Sequence, residues 1–214
     1  MTLTAIIPAR AGSKRIKDKN QQVVGGRSLL KRAIDNAHNA ADRIIVSSDD
    51  PDYLQYASAM GCETHERSDA AAQDSCHAVF PVLEAIEDMN VQGWVAMMLP
   101  TAPFVSAVEL LDAYGLALKH DAPAIISVIK KRVTNLYVRP ANGAGIERMF
   151  PDELPENQDA ETCYVVTGEI FIAKVDALKE HRSFHMPGVR GFIQANARDI
   201  DDYRDLDAAR EYAA

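Results

Sequence analysis

Tryptophan occurs once and cysteine three times in this chain of 214 residues, and no apolar run reaches the length of a membrane span. Cys62, Cys76 and Cys163 are odd in number, widely spaced and without metal-ligand spacing. That pattern argues against a disulfide framework or a cysteine-based zinc site, and for free, mostly buried thiols in a reducing compartment. Positive charge is also scarce: 23 Lys and Arg face 31 Asp and Glu, a net charge of −8 that speaks against broad nucleic-acid binding. His38, His65, His77, His120, His181 and His185 show no metal spacing, and each reads as a surface or loop residue. A GxGxxG fingerprint, the Gly-Lys-Ser/Thr ending of a Walker A loop, internal repeats and low-complexity segments are all absent. The first residues enter a strand pattern without the basic-then-apolar layout of a signal peptide, so the expectation is a cytoplasmic protein with no membrane partner.

What is present is an ordinary balance of 47% apolar and 25% charged residues, enough for one domain over 1–214 with a substantial core. Residues 3–7 read as a buried strand halted by Pro8, and Ser28 as the cap of a helix with Leu30, Ala33, Ile34 and Ala37 on one face. Residues 43–47 give a second strand, and Pro51 opens a helix to about 60 that Gly61 closes. A short strand over 63–65 precedes an irregular stretch over 66–75. The next helix either kinks at Pro81 or begins near Phe80. Strands over 95–99 and 124–129 flank a helix with Val108, Leu111, Gly115 and Leu118 on its core-facing stripe, and Trp94 reads as a strand-edge packing residue.

Alternation of strand and helix up to residue 130 predicts an α/β protein, a mostly parallel sheet with helices on both faces. The rhythm breaks over 130–165, where short strand-like pieces and an Asn142-Gly143 turn suggest an inserted β element. It resumes with a strand over 170–173, a helix opening at 175–178, a strand over 191–195 and a terminal helix over 205–213.

The chain is organised around IPARAGSKRIKDKN at 7–20. Arg10, Lys14, Arg15, Lys17 and Lys19 crowd a Gly-Ser loop just past the first strand, in an otherwise acidic protein. Such a loop is a natural polyphosphate cradle, or alternatively a solvated basic loop. Other candidates also fall at carboxyl ends of strands, where open α/β sheets bind ligands: Asp49-Asp50, 100–103 and Asp199-Ile200-Asp201-Asp202. On an extended segment Asp199 and Asp201 point the same way, as a Mg²⁺ pair would; the alternative is that Asp199–Asp202 only caps the terminal helix.

The loop resembles the signature PARGGSKxIPxKN of the acylneuraminate cytidylyltransferase family. Pro8, Ala9, Arg10, Gly12, Ser13, Lys14, Ile16, Lys19 and Asn20 fit, and Lys17 stands where Pro is usual. The late D-I-D-T-E-x-D pattern is similar at Asp199, Ile200, Asp201 and Asp205, with Asp202 and Tyr203 as departures. RIIVSSDD at 43–50, Arg67, Asp74-Ser75, PTAPF at 100–104 (the form seen in pseudaminic acid members), Gln158-Asp159 and TGEIF at 167–171 extend the likeness over the whole chain.

The resemblance implies a three-layer Rossmann-like nucleotidyltransferase fold and a CTP-dependent enzyme that makes a CMP-sugar from a nonulosonic acid, releasing pyrophosphate. In that reading Arg10, Lys19 and Asp201 are catalytic. Ala9, Arg10, Gly12, Ser13, Lys14, Lys19, Asn20, Arg67, Cys76, Pro100 and Thr101 hold the nucleotide. Gln158, Gly168 and Lys131 meet the acceptor, and Asp199 and Asp201 hold Mg²⁺. The partners implied are CTP, a sugar acid and a second copy of the chain, docked through 130–165. Departures fall on the acceptor side: Leu99, Glu156-Asn157 and Val165 replace polar or basic family residues. The alternatives are therefore a cytidylyltransferase for another acid, 3-deoxy-octulosonate-like or a phosphonate, or a nucleotide-binding relative without activity.

Overall fold

A computed structural model describes residues 2–72, 77–132, 138–140, 146–148, 162–195 and 197–213. Strand β1 (Leu3–Pro8) sets the layering: Leu3, Ala5 and Ile7 bury against one layer of helices and Ile6 against the other. A strand covered on both faces reads as a continuous apolar run, which is why this one does.

After the basic loop and a short 3₁₀ turn (Lys19–Gln21), β2 (Val23–Val24) and β3 (Arg27–Ser28) form a small hairpin. Ser28 then caps α1 (Leu29–His38), its Oγ accepting the Lys31 amide at 3.2 Å. Next come β4 (Arg43–Ser48), α2 (Pro51–Ala59) and β5 (Glu63–Glu66). The stretch read as irregular holds one helical turn, α3 (Asp69–Ala72). Helix α4 (Phe80–Asp88) starts at Phe80 with Pro81 in its first turn, where a missing amide hydrogen costs nothing, so there is no kink.

The chain continues through β6 (Trp94–Met98), α5 (Ala107–Lys119), β7 (Ala124–Arg132) and a hairpin of β8 (Val138–Pro140) with β9 (Ile146–Arg148). It ends in β10 (Thr162–Lys174), α6 (Val175–His181), β11 (Arg190–Ile193) and α7 (Tyr203–Tyr212). The main sheet has seven strands in the order β5-β4-β1-β6-β10-β7-β11. Only β10 runs antiparallel to its neighbours among these strands.

Three expectations change. The stripe Val108, Leu111, Gly115 and Leu118 faces outward, with Val108 68% exposed; Leu110, Ala113 and Ala117 face the sheet instead. Helix α5 is apolar nearly all round, so periodicity alone offers two faces, and the alanines win because they let helix and sheet approach closely. Trp94 starts an interior strand rather than an edge and is buried, its ring meeting Tyr114 edge-on at 5.5 Å. The ends of the 130–165 segment belong to the main sheet, where Lys130 and Lys131 of β7 pair with Tyr164 and Cys163 of β10. Asn142-Gly143 lies outside the described residues, between the paired Pro140 and Ile146.

A third, smaller core ties the two ends of the chain together. Ile16 from the basic loop and Ile200 from between the aspartates are both fully buried, with Val24, Leu29, Leu206 and Ala209. Ile200→Ala should therefore cost about 2–5 kcal/mol in urea unfolding, the usual range for emptying such a site. A loss below about 1 kcal/mol would show that this small core does not hold the segment.

Candidate active site

The sheet order reverses at β1, whose successor β4 lies to one side and β6 to the other. Ligands in open α/β sheets bind at this switch, beyond the carboxyl ends. The loop leaving β1 is pinned by its backbone: Ala9 N–H donates to Ser47 O at 2.9 Å and Ala11 N–H to Asp49 Oδ1 at 2.8 Å. Gly12 turns at φ 66°, and Asn20 Nδ2 closes the loop by donating to Arg10 O at 3.0 Å. Asp49 and Asp50 thus act structurally, since Asp50 Oδ1 caps α2 by accepting the Asp52 amide at 2.9 Å.

Between this loop and the one after β6 opens a cavity of about 480 Å³. Arg10, Ser13, Lys14, Arg15 and Lys19 line its basic wall, Pro100 and Thr101 its β6 side, and Arg67 and Asp201 complete the polar set. Lys19 Nζ donates to Ile200 O at 2.8 Å and lies 4.0 Å from Asp201 Oδ1, while Arg15 Nη1 lies 3.1 Å from Asp201 Oδ2. Ile200 N–H donates to Thr101 O at 2.9 Å, so the late aspartates are stitched to both loops.

The electrostatics follow from that crowding. Desolvation lowers the Lys19 pKa and Arg15 and Arg10 lower it further, against the pull of Asp201 and Asp199. Asp199 moves the other way: desolvation of its carboxyl raises its pKa and Asp201 adds to the rise, opposed by a hydrogen bond from Thr101 and by Lys19. The two carboxyl groups are thus close enough to repel. Among the described residues no group of three or more His, Cys, Asp or Glu is placed to hold a metal. A pair of hard oxygen donors is what Mg²⁺ takes from protein when phosphate oxygens and water fill the remaining positions.

A model of the Cytidylyltransferase family matches residues 4–185. The chain belongs to the cytidylyltransferase family. It is 25% identical to an N-acylneuraminate cytidylyltransferase of Escherichia coli over 97% of this chain and 51% of that protein. It is 24% identical to a CMP-N,N'-diacetyllegionaminic acid synthase of Legionella pneumophila, over 100% of this chain and 94% of the relative. The chain therefore spans about half of the first relative and nearly all of the second. In fold it is similar to a CMP:2-keto-3-deoxy-manno-octonic acid synthetase complexed with CTP, with a TM-score of 0.74 at 16% identity, covering 99% of this chain and 98% of that one. The aspartate segment lies beyond the span matched by the family model.

Of the residues singled out by the family's motifs, Arg10, Ser13, Lys14, Lys19, Asn20, Arg67, Pro100, Thr101 and Asp201 meet at the cavity. Ala9 is buried behind it, and Gly12 serves by its conformation. Lys131 and Gly168 sit on β7 and β10, away from the cavity lining; Gly168, at φ 80°, marks a bulge in β10. Cys76 and Gln158 lie outside the described residues.

Sequence reasoning did not assign the packing walls, Ala71, Ala78 and Pro81, or the pairing of Arg15 with Asp201, because no local pattern marks them. It also misplaced His65, which is buried on β5 and not at the surface. Its ring nitrogens lie 3.0 Å from Ser47 Oγ and 3.0 Å from Asp88 Oδ2. That arrangement has the outline of a hydrolytic triad, but Ser47 is fully buried, so it braces β4 against β5. The brace matters because Arg67 Nη2 donates to Ser47 O at 2.6 Å, which fixes the guanidinium over the cavity.

Proposed function

We propose that the protein is a CTP-dependent cytidylyltransferase that activates a nonulosonic, sialic-type acid as its CMP-sugar and releases pyrophosphate. The observation that carries this reading is one cavity at the sheet's switch point that joins the basic motif loop to Asp201. The sugar's anomeric oxygen attacks the α-phosphorus, the bond from the α-phosphorus to the bridging oxygen breaks so that this oxygen leaves with pyrophosphate, and the hydroxyl proton passes to solvent. Little covalent chemistry falls to the protein, so positioning and charge neutralisation dominate. Arg10, Lys14 and Lys19 neutralise the triphosphate, and Arg67, held by Ser47 O, contacts the cytosine. Asp199 and Asp201 would hold Mg²⁺, which when bound supplies charge neutralisation at the phosphates and lowers the pKa of the attacking hydroxyl.

The relatives act on different acids by their names, and Leu99 and Val165 make the acceptor side of this chain less polar. Pyrophosphate release from CTP should be assayed against N-acetylneuraminate, legionaminate, pseudaminate and 3-deoxy-octulosonate. Turnover with one of the first three supports the reading. Turnover with 3-deoxy-octulosonate alone moves the acceptor class, and tight CTP binding without turnover for any acid points to a non-catalytic relative.

The same reading includes a homodimer built on 130–165. Tyr164, Val165 and Val166, in the part of β10 that pairs with β7 and runs beyond β6, are 54%, 38% and 40% exposed, and alternate residues of a strand face opposite ways. Both faces of that strand end thus show partly exposed apolar side chains, as a docking strand would. Sedimentation at micromolar concentration should show twice the 23.5 kDa chain mass; a single monomeric species would remove the dimer.

A further inference from the structure

A directed run of hydrogen bonds joins the β10 bulge to the segment carrying the aspartates. The pairing register between β10 and β7 slips between Val166 and Phe171. Ile170 N–H donates to Ser127 Oγ at 2.8 Å, and the hydroxyls of Ser127 and Thr167 are 2.5 Å apart. Thr167 Oγ1 donates to Gln194 Oε1 at 2.8 Å, and Gln194 Nε2 donates to Glu169 Oε2 at 2.9 Å. Glu169 Oε1 accepts the backbone N–H of Arg198, the residue before Asp199.

Each hydroxyl has one proton to give. Thr167 gives its proton to Gln194, so Ser127 must donate to Thr167, and the direction of every bond is set. Such a run needs a terminus that only accepts, and the Glu169 carboxylate is that terminus. Ser127, Glu169 and Gln194 are buried, so water does not replace a missing or reversed bond. Glu169 is absent from the lining of the nucleotide cavity; it reaches the aspartate segment through the Arg198 amide and through the charge it places near Asp199.

We infer that Glu169 is a positioning residue that, through the Arg198 amide, fixes the segment that carries Asp199 and presents Asp201 to the cavity. The inference rests on the proposed metal-dependent reading of that pair. Its chemistry is that of an outer-sphere partner: it touches neither nucleotide nor metal but sets the angle at which the carboxylates arrive.

Glu169→Gln tests it, because with Oε1 kept on the Arg198 amide the new Nε2 faces the Gln194 amide donor, and relief requires Gln194 to flip and the run to reverse, which takes the Thr167 acceptor from the Ser127 hydroxyl. The double exchange Glu169→Gln with Gln194→Glu restores every donor to an acceptor. In Glu169→Gln, the Mg²⁺ concentration for half-maximal pyrophosphate release should rise about 10–100-fold, with metal-free CTP affinity within about twofold of wild type. Hydrogen exchange at the Arg198 amide should quicken about tenfold or more, since its acceptor is disturbed. The double exchange should return both readouts to within about threefold of wild type.

Unchanged Mg²⁺ dependence and unchanged exchange in Glu169→Gln would overturn the positioning role. A parallel collapse of metal-free CTP binding would also do so, by showing general damage. Should Glu169→Gln fail to fold, Thr167→Val, which removes one donor upstream, is expected to shift both readouts the same way by a smaller factor; no shift overturns the inference. If wild-type protein turns over CTP with no acid, the proposed reaction falls, and exchange at Arg198 still decides the relay.

Discussion

Asp201→Asn should leave the protein folded and reduce pyrophosphate release by about 100-fold or more, since losing a charged ligand removes about 3 kcal/mol of transition-state stabilisation. The fold should tolerate it. The Asp201 side chain is 62% exposed, and what the segment needs structurally, the Asp201 amide donating to Asp205 Oδ2 at 2.9 Å, comes from the backbone. Asparagine keeps the shape and loses the charge that faces Arg15 and Lys19. Steady-state kinetics over a Mg²⁺ titration, with a melting curve on the same sample, checks both halves. Near-wild-type turnover at every Mg²⁺ concentration would remove Asp201 from the metal site.

Lys19→Ala should weaken CTP about 10–100-fold and CMP far less, because charge-assisted hydrogen bonds to the outer phosphates are what the cation offers. The structure adds a second loss. Lys19 Nζ also donates to the carbonyl of Ile200, at 2.8 Å, so the substitution removes one of the bonds that hold the aspartate segment as well as a phosphate contact. Turnover at saturating CTP should therefore fall too, which a pure binding residue would not cause. Lys19→Arg is not a rescue, since a planar fork cannot replace a compact ammonium reaching one carbonyl. Calorimetry with CTP and CMP decides: equal weakening of both would place Lys19 away from the outer phosphates.

The two substitutions probe one object from its two sides. The basic loop and the aspartate segment are about 180 residues apart in sequence and meet through Ile16 and Ile200 in one small core. Burying those two isoleucines sets the spacing between the cations and the carboxylates, which is why Ile200 sits between the aspartates.

Part of this was legible in the residues themselves. The run Ala5-Ile6-Ile7 ending at Pro8 announces a strand buried on both faces, Ser28 and Pro51 announce their helices, and the Gly-Ser loop with its cations announces an anion site. These signals are local: each depends on side-chain period, capping or turn chemistry within a few residues. Asp199 and Asp201 were visible as a pair, and Asp202 as a cap, which it is, its carboxylate accepting the Arg204 and Asp205 amides.

The remainder was decided by packing between distant segments. Which stripe of α5 turns inward was settled by the fit of Ala113 and Ala117 on the sheet. His65 is buried only because Ser47 and Asp88 arrive from other elements to satisfy both ring nitrogens, and a buried imidazole without them would be costly. The run from Ser127 through Thr167 and Gln194 to Glu169 and Arg198 draws on three strands or their extensions and has no period to betray it. Sequence determined the strands, the helices and the chemistry of the loop, because those follow from near neighbours. Tertiary structure alone decided which cation meets which carboxylate and what holds them there, because those contacts exist only once the sheet has brought its loops together.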